Sequence, residues 1–253
     1  MMQQYFVEVL HHDVDNLVIL GQDAYHMIKV MRMRVGESVR IVLNQELAAF
    51  YEITQIDVKG QMVYLQKQAI DQTIRELPVD VTVVLGLLKS DKFDYAVQKL
   101  TELGVETIIP WQAARSIVKM DDQNEAKKRK RWQMIAKEAA EQSQRLRVPV
   151  IQQPKNLTTI LAERSRDEYI YVAYEGLVGK RPNHLLDFHA PNNKVTFIIG
   201  PEGGISSEEV AALEALHTEK EIHFITLGNR ILRAETAAIF AMSLVAGSTE
   251  HLM

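Results

Sequence analysis

Hydrophobic and polar positions follow two different rhythms along this chain. Over the first 70 or so residues, short β-branched and aromatic runs alternate with turn residues. Tyr5 to Leu10, Leu17 to Leu20, Ser38 to Leu43, Ala49 to Val58 and Met62 to Ile70 are predicted strands, with Lys59-Gly60 turning the last pair. Gln22 to Met31 breaks the pattern: Tyr25 and Ile28, with Met31 or Arg32, recur at helical spacing and predict a short helix. Five strands in so short a span suggest a partly closed barrel of a kind that often binds RNA. Asp71 to Asp80, which contains Pro78, reads as a linker.

Beyond it, strands and helices alternate. Val79 to Leu88 and Thr107 to Trp111 are predicted strands, and Ser116 to Met120 a short further one. A helix over Asp91 to Leu103 carries Phe93, Ala96, Val97, Leu100 and Leu103 on one face and stops at Gly104. A long helix is expected over residues 124–146, with Trp132, Ile135, Ala136 and Ala139 on its apolar side. Val148 to Gln152 and Tyr169 to Ala173 follow as strands around a helix at Leu157 to Ala162. Val195 to Ile199 and His223 to Leu227 are the last two strands, and Ala234 to Gly247 a final helix that is small or apolar almost all round. Such β-α alternation predicts an α/β domain with a mainly parallel sheet.

Composition narrows the class. The 253 residues are 47% hydrophobic and 25% charged, as in an ordinary globular protein. Neither a run of membrane-spanning length nor a signal-peptide pattern occurs, so a cytoplasmic protein without membrane contact is expected. Zero cysteines exclude disulfides and thiolate metal sites, and the eight histidines lack ligand spacing, so no metal site is expected. The net charge of −4 conceals a basic stretch: residues 113–147 hold ten basic and five acidic side chains, an excess of five. Within it, Lys127 to Arg131 sits near a helix start, where the macrodipole disfavours cations. Phosphate contact by Lys128, Arg129 and Arg131 would account for that placement, and a solvated helical face is the competing account.

Candidate chemistry lies where the last two strands end. After Ile199 the chain reads Gly200-Pro201-Glu202-Gly203-Gly204, then Ser206 or Ser207 as a helix cap with Glu208 and Glu209 in the first turn. Pro201 ends the sheet ladder, while Gly203 and Gly204 permit positive φ or close approach of another group. Neither a dinucleotide fingerprint nor a P-loop is present, and Glu202 would repel a phosphate. A nucleoside held by backbone groups fits the bend better. Leu227-Gly-Asn-Arg-Ile-Leu-Arg-Ala-Glu235 forms a second glycine-bearing strand end able to converge on the same site.

These two segments resemble the signature motifs of the RsmE family, as do Leu88 to Gly104 and Glu138 to Arg145. RsmE proteins are SPOUT-class, S-adenosylmethionine-dependent methyltransferases that modify N3 of one uridine in bacterial 16S ribosomal RNA. His26 to Gly36 also matches the pattern of the family's PUA-like domain. The resemblance implies a small N-terminal PUA-like β-barrel domain over 1–72. It implies a C-terminal SPOUT-type, trefoil-knotted α/β domain over 73–253, in a homodimer. It places Gly200, Gly203, Leu227, Gly228, Ile231 and Leu232 around S-adenosylmethionine. Ala234 stands where the family usually has threonine, so no hydroxyl is expected there.

On this reading Lys29, Arg32, Arg34 and Arg40 of the first domain are candidate phosphate contacts, against the alternative of a solvated barrel face. Uridine N3 bears a weakly acidic proton, so a cation near the uracil oxygens would stabilise charge developing there. Arg233 is the candidate, with a salt bridge to Glu235 or a partner-subunit contact as competing roles. Glu202 and Glu235 are alternative general bases. Two other functions remain open on sequence alone. One is a SPOUT enzyme acting on tRNA or another rRNA nucleotide; the other is a non-enzymatic RNA-binding ribosome-assembly factor.

Overall fold

The computed structural model of the chain describes residues 2–9, 14–118, 120, 122–164, 168–177, 194–216 and 222–250. Leu10, at the end of the first expected strand, and Lys119, in the basic stretch, lie outside them. The chain divides into two compact units, Met1–Glu76 with Ala140–Arg147, and Leu77–Ala139 with Val148–Met253.

In the first unit, β1 (Gln4–Val7), β2 (Asn16–Ile19), β3 (Ser38–Leu43), β4 (Leu47–Asp57) and β5 (Met62–Ile70) form one sheet. Its order is β1-β3-β4-β5-β2, with β1 parallel to β3 and the other pairs antiparallel. Register shifts at Phe50/Tyr51 and Ile53/Gln55 mark irregularities in β4 of the kind that bend a strand. The face carrying Tyr5, Ile41, Tyr51, Ile53 and Leu65 is buried. The expected single helix divides into α1 (Gly21–Tyr25) and a π-helical turn, His26–Val30, in which Met31 N–H donates to His26 O at 2.9 Å. Ala24 and Met27 are buried, whereas Tyr25 is exposed.

In the second unit, β6 (Asp80–Gly86), β7 (Thr107–Trp111), β8 (Val150–Ile151), β9 (Tyr169–Ala173), β10 (Lys194–Ile199) and β11 (Ile222–Ile225) form a sheet ordered β11-β9-β10-β6-β7-β8. Every pairing is parallel. Val195 to Ile199 are all buried, as a strand covered on both faces requires. One face packs Val81, Val83, Leu85 and Phe197 with α2 (Lys92–Glu102) and α6 (Ala234–Thr249). The other packs Val84, Trp111 and Ile198 with α4 (Leu157–Glu163) and α5 (Ser207–Leu216). Trp132 of α3 (Asp122–Gln142) lies on Phe93 with ring centroids 4.3 Å apart, and its indole N–H donates to Asp94 Oδ1 at 2.9 Å.

The strand expected at Ser116 to Met120 is absent among the described residues there. Instead, Ser116 N–H donates to Ala113 O and closes a turn beyond β7. Among the described residues no helix is long and apolar enough to cross a membrane.

Candidate functional site at three strand ends

The strand order creates the site. From β9 the chain goes to β10 on one side of it, and later to β11 on the other. The loops leaving β10 and β11 therefore diverge around the carboxyl end of β9. A crevice opens at such a reversal of direction in a parallel sheet, and it is where α/β folds hold ligands. Here the crevice is a cavity of about 300 Å³. Ala173 to Glu175 line it after β9, Ile199 to Glu202 with Gly204 after β10, and Thr226, Leu227 and residues 230–234 after β11.

Glycine shapes the β10 loop by close approach. A side chain on Gly86, at the end of β6, would overlap Pro201, with its β-carbon 2.5 Å from Pro201 Cδ. One on Gly203 would come 2.8 Å from Arg115 O. Gly204 instead supplies a left-handed turn, φ +71°, that redirects the chain toward α5. Ser206 then caps α5. Its Oγ accepts from Glu209 N–H at 3.2 Å, while Glu209 Oε2 accepts from Ser206 N–H at 3.0 Å, a reciprocal capping box. Glu209 Oε1 also accepts from Ala114 N–H at 2.8 Å, tying the helix start to the loop after β7. In the second loop Gly228 has φ +107°, and Thr226 Oγ1 donates to Gly228 O at 2.7 Å.

Of the residues expected to surround the cofactor, Gly200, Leu227, Ile231 and Leu232 line the cavity. Gly203 and Gly228 do not; they shape the two loops from outside it. Arg233 lines it, is exposed, and stands as the N-cap of α6. Among the described residues it forms no ion pair, with Glu235 or any other acid. Glu202 also lines the cavity, but its carboxylate is engaged: Oε1 accepts from Lys92 Nζ at 3.2 Å and from Lys89 N–H at 3.4 Å. Burial acts to raise the pKa of Glu202, yet its own amide, Lys92 and Lys89 outweigh that effect and leave it below the ordinary value. A carboxylate so stabilised is a weakened base. Glu235 does not line the cavity, and its Oε2 is buried without a hydrogen-bond partner among the described residues.

Sequence patterns missed Tyr174, Glu175, Thr226 and Arg230, all of which line the cavity. Position is the available signal for Glu175, which stands two residues beyond a buried parallel strand. For Arg230 it is a second cation within the same motif as Arg233.

The basic candidates divide. Lys29, Arg32 and Arg34 are exposed, as are Lys128 and Arg131, with Arg129 half-buried. Arg131 is nevertheless committed to Asp94, with Nη2 2.6 Å from Oδ2. Arg40 is no surface contact. It is 1% exposed, with Nε 2.7 Å from Asp71 Oδ2 and further donor contacts to Gln4 Oε1 and Gln144 O. The burial of β3 hides it: in that strand Val39 to Leu43 are all buried, so no outward position exists for a charge at residue 40.

Comparison with known proteins agrees with this architecture. Residues 75–246 match the family described as RNA methyltransferase domain, and residues 19–60 match RNA methyltransferase PUA domain. The Bacillus subtilis (strain 168) protein named Ribosomal RNA small subunit methyltransferase E is 35% identical over 99% of this chain and 98% of its own length. Among solved structures, the Neisseria gonorrhoeae Ribosomal RNA small subunit methyltransferase E, bound to S-adenosyl methionine, superposes with a TM-score of 0.82 at 26% identity, covering 96% of both chains. A putative methyltransferase from Legionella pneumophila, in complex with the cofactor SAM, gives 0.83 at 26% identity over 98% of both. With a crevice at three parallel strand ends, both glycine motifs around it and full-length likeness to these enzymes, the chain belongs to the RsmE family of RNA methyltransferases.

Proposed function

We propose that this protein transfers the methyl group of S-adenosylmethionine to N3 of one uridine in bacterial 16S ribosomal RNA. The observation that carries the reading is the cavity at the ends of β9, β10 and β11. It combines apolar lining from Leu227, Ile231 and Leu232 with half-buried backbone at Gly200 and Gly204 and two arginines that have no acidic partner among the described residues. Its volume of about 300 Å³ suits a small ligand. Apolar walls and close backbone approach fit an adenosine, and the absence of a phosphate-binding motif fits a cofactor without phosphates.

When bound, S-adenosylmethionine supplies a methyl group already activated on a sulfonium. What the chain adds is position and charge. Buried Leu227 and half-buried Leu232 give the adenosine side an apolar wall, with Ile231 exposed at its rim. Arg233, at the start of α6 and without an acidic partner among the described residues, offers a planar donor to the uracil oxygens as N3 loses its proton. Glu202 is poorly suited to take that proton, since Lys92 and Lys89 already stabilise its anion. Its role here is to fix the β10 loop against the start of α2. Glu235 stays a candidate base only if its unpartnered oxygen turns toward the cavity.

Lys29, Arg32 and Arg34 on the first unit, and Lys128 and Arg129 on α3, are the proposed phosphate contacts. The trefoil knot and the homodimer belong to the same proposal. The knot is supported by β10 lying between β9 and β6, and the dimer by an α6 of mostly small or apolar residues that leaves Phe240 37% exposed. A cytoplasmic location follows from a ribosomal RNA substrate.

Titration with S-adenosylmethionine by calorimetry, followed by methylation of unmodified small-subunit rRNA and nucleoside mass mapping, tests the reading. Saturable binding and a single 3-methyluridine are expected. A chain that binds RNA but yields no heat with the cofactor is a non-enzymatic binding protein.

A further inference from the structure

We propose that Glu175 and Arg230 form a clamp for the amino-acid end of S-adenosylmethionine, Glu175 holding the α-ammonium and Arg230 the α-carboxylate. The inference rests on the reading of the cavity as the cofactor site.

Glu175 follows β9 by two residues and lines the cavity. Its carboxylate lies against Gly204 so closely that a β-carbon there would stand 2.5 Å from Glu175 Oε1. The missing side chain at residue 204 is therefore what admits the carboxylate to the crevice. Neighbouring acids are already occupied. Glu202 accepts from Lys92 and Lys89, and Glu209 accepts from Ser206 and Ala114. The Glu175 carboxylate has no hydrogen bond or ion pair among the described residues. A carboxylate seated by the backbone of one loop, facing a cavity and lacking a donor, is arranged for a donor that arrives with the ligand.

Arg230 supplies the opposite charge. It lines the same cavity, is exposed, and has no acidic partner among the described residues. Glu175 and Arg230 do not pair with each other, although opposite charges at one rim would do so if nothing else were to be bound. An α-amino acid carries an ammonium and a carboxylate on one carbon, which is the complement of two such unpaired groups. The guanidinium fork suits the carboxylate, and a carboxylate accepts charge-assisted bonds from an ammonium. Arg233, the other cation lining the cavity, is left for the base.

The test compares three ligands by calorimetry on the full-length chain: S-adenosylmethionine, S-adenosylhomocysteine and 5′-methylthioadenosine, which keeps the adenosine and thioether but lacks the amino-acid end. Glu175→Gln and Arg230→Ala should each weaken the first two by about ten-fold or more, the scale of one hydrogen bond to a charged group. Both variants should bind 5′-methylthioadenosine as the unmodified protein does. Equal weakening of 5′-methylthioadenosine by Glu175→Gln would mean that Glu175 grips the ribose, and would overturn the clamp. Weakening of S-adenosylmethionine alone would place Glu175 at the sulfonium, which also overturns it. Unchanged binding of all three ligands would leave Glu175 a packing residue. If the unmodified protein binds none of them, the cofactor reading itself fails.

Discussion

Arginine serves opposite ends in the two units. In the first, Arg40 is 1% exposed, and its guanidinium is consumed by Asp71, Gln4 and Gln144 O, while Arg75 reaches Asp71 at 2.5 Å. In the second, Arg230 and Arg233 stand exposed at the cavity rim without an acidic partner among the described residues. A buried charge must find its counter-charge within the fold, since its desolvation is otherwise uncompensated. An exposed charge at a crevice can wait for a ligand. Fold and function thus use the same side chain, and its surroundings decide which.

The largest expected effect breaks the first arrangement. Asp71→Ala leaves Arg40 buried and short of its counter-charge, and should cost about 3–5 kcal/mol, read as an earlier unfolding transition in urea. The effect carries a pH signature. Burial alone would raise the Asp71 pKa, but hydrogen bonds from Thr73, Arg40 and Arg75 hold it far below its ordinary value near 3.8. A depressed folded-state pKa gives stability that is present above the unfolded value and lost as pH falls toward the folded one. Acid should therefore erode this stabilisation below about pH 4, and Asp71→Asn should lose that part of the pH dependence.

Arg233→Ala tests the opposite arrangement. It should lower kcat by about 10²–10³-fold, the scale for one preorganised donor, and leave the urea midpoint where it was. Arg233→Lys should recover part of the rate, because a point charge does not reproduce a planar fork. An Arg233→Ala enzyme with near-normal turnover would remove the contrast between the two units.

Ser206 lies between these extremes, since it is structural yet borders the site. Ser206→Ala breaks the capping box of α5 and should cost about 1 kcal/mol in stability. Cofactor affinity should fall by no more than a few-fold, as measured by calorimetry.

Arg131 should show the smallest effect on the fold. Its ion pair with Asp94 leaves the side chain 64% exposed, so Arg131→Ala should change stability by about 0–1 kcal/mol. Replacing Lys128, Arg129 and Arg131 together should instead flatten the salt dependence of RNA binding, by a slope of about 0.7–0.9 for each phosphate no longer neutralised. A triple variant with an unaltered slope would make the run a solvated face.

Sequence alone determined the elements whose signals are local. Ser38 to Leu43, Met62 to Ile70, Thr107 to Trp111 and Tyr169 to Ala173 fall where β-branched and aromatic runs place them, because side-chain shape and burial on a pleated surface act over a few residues. The two glycine loops were legible for the same reason: a left-handed φ at Gly204, or a Pro201 that ends a ladder, is written in residue type. Tertiary structure decided what depended on partners distant along the chain. Arg40 looks like any surface cation until β3 is found buried and Asp71 beside it. Glu202 looks like a free base until Lys89 and Lys92, more than a hundred residues earlier, are found on its carboxylate. Glu175 shows in its own segment only a position just beyond a strand; the strand order that sets β9 between β10 and β11 brings it to Gly204 and the cavity. Charge pairing and pocket geometry arise from contacts across the fold, and residue type at a single position does not encode them.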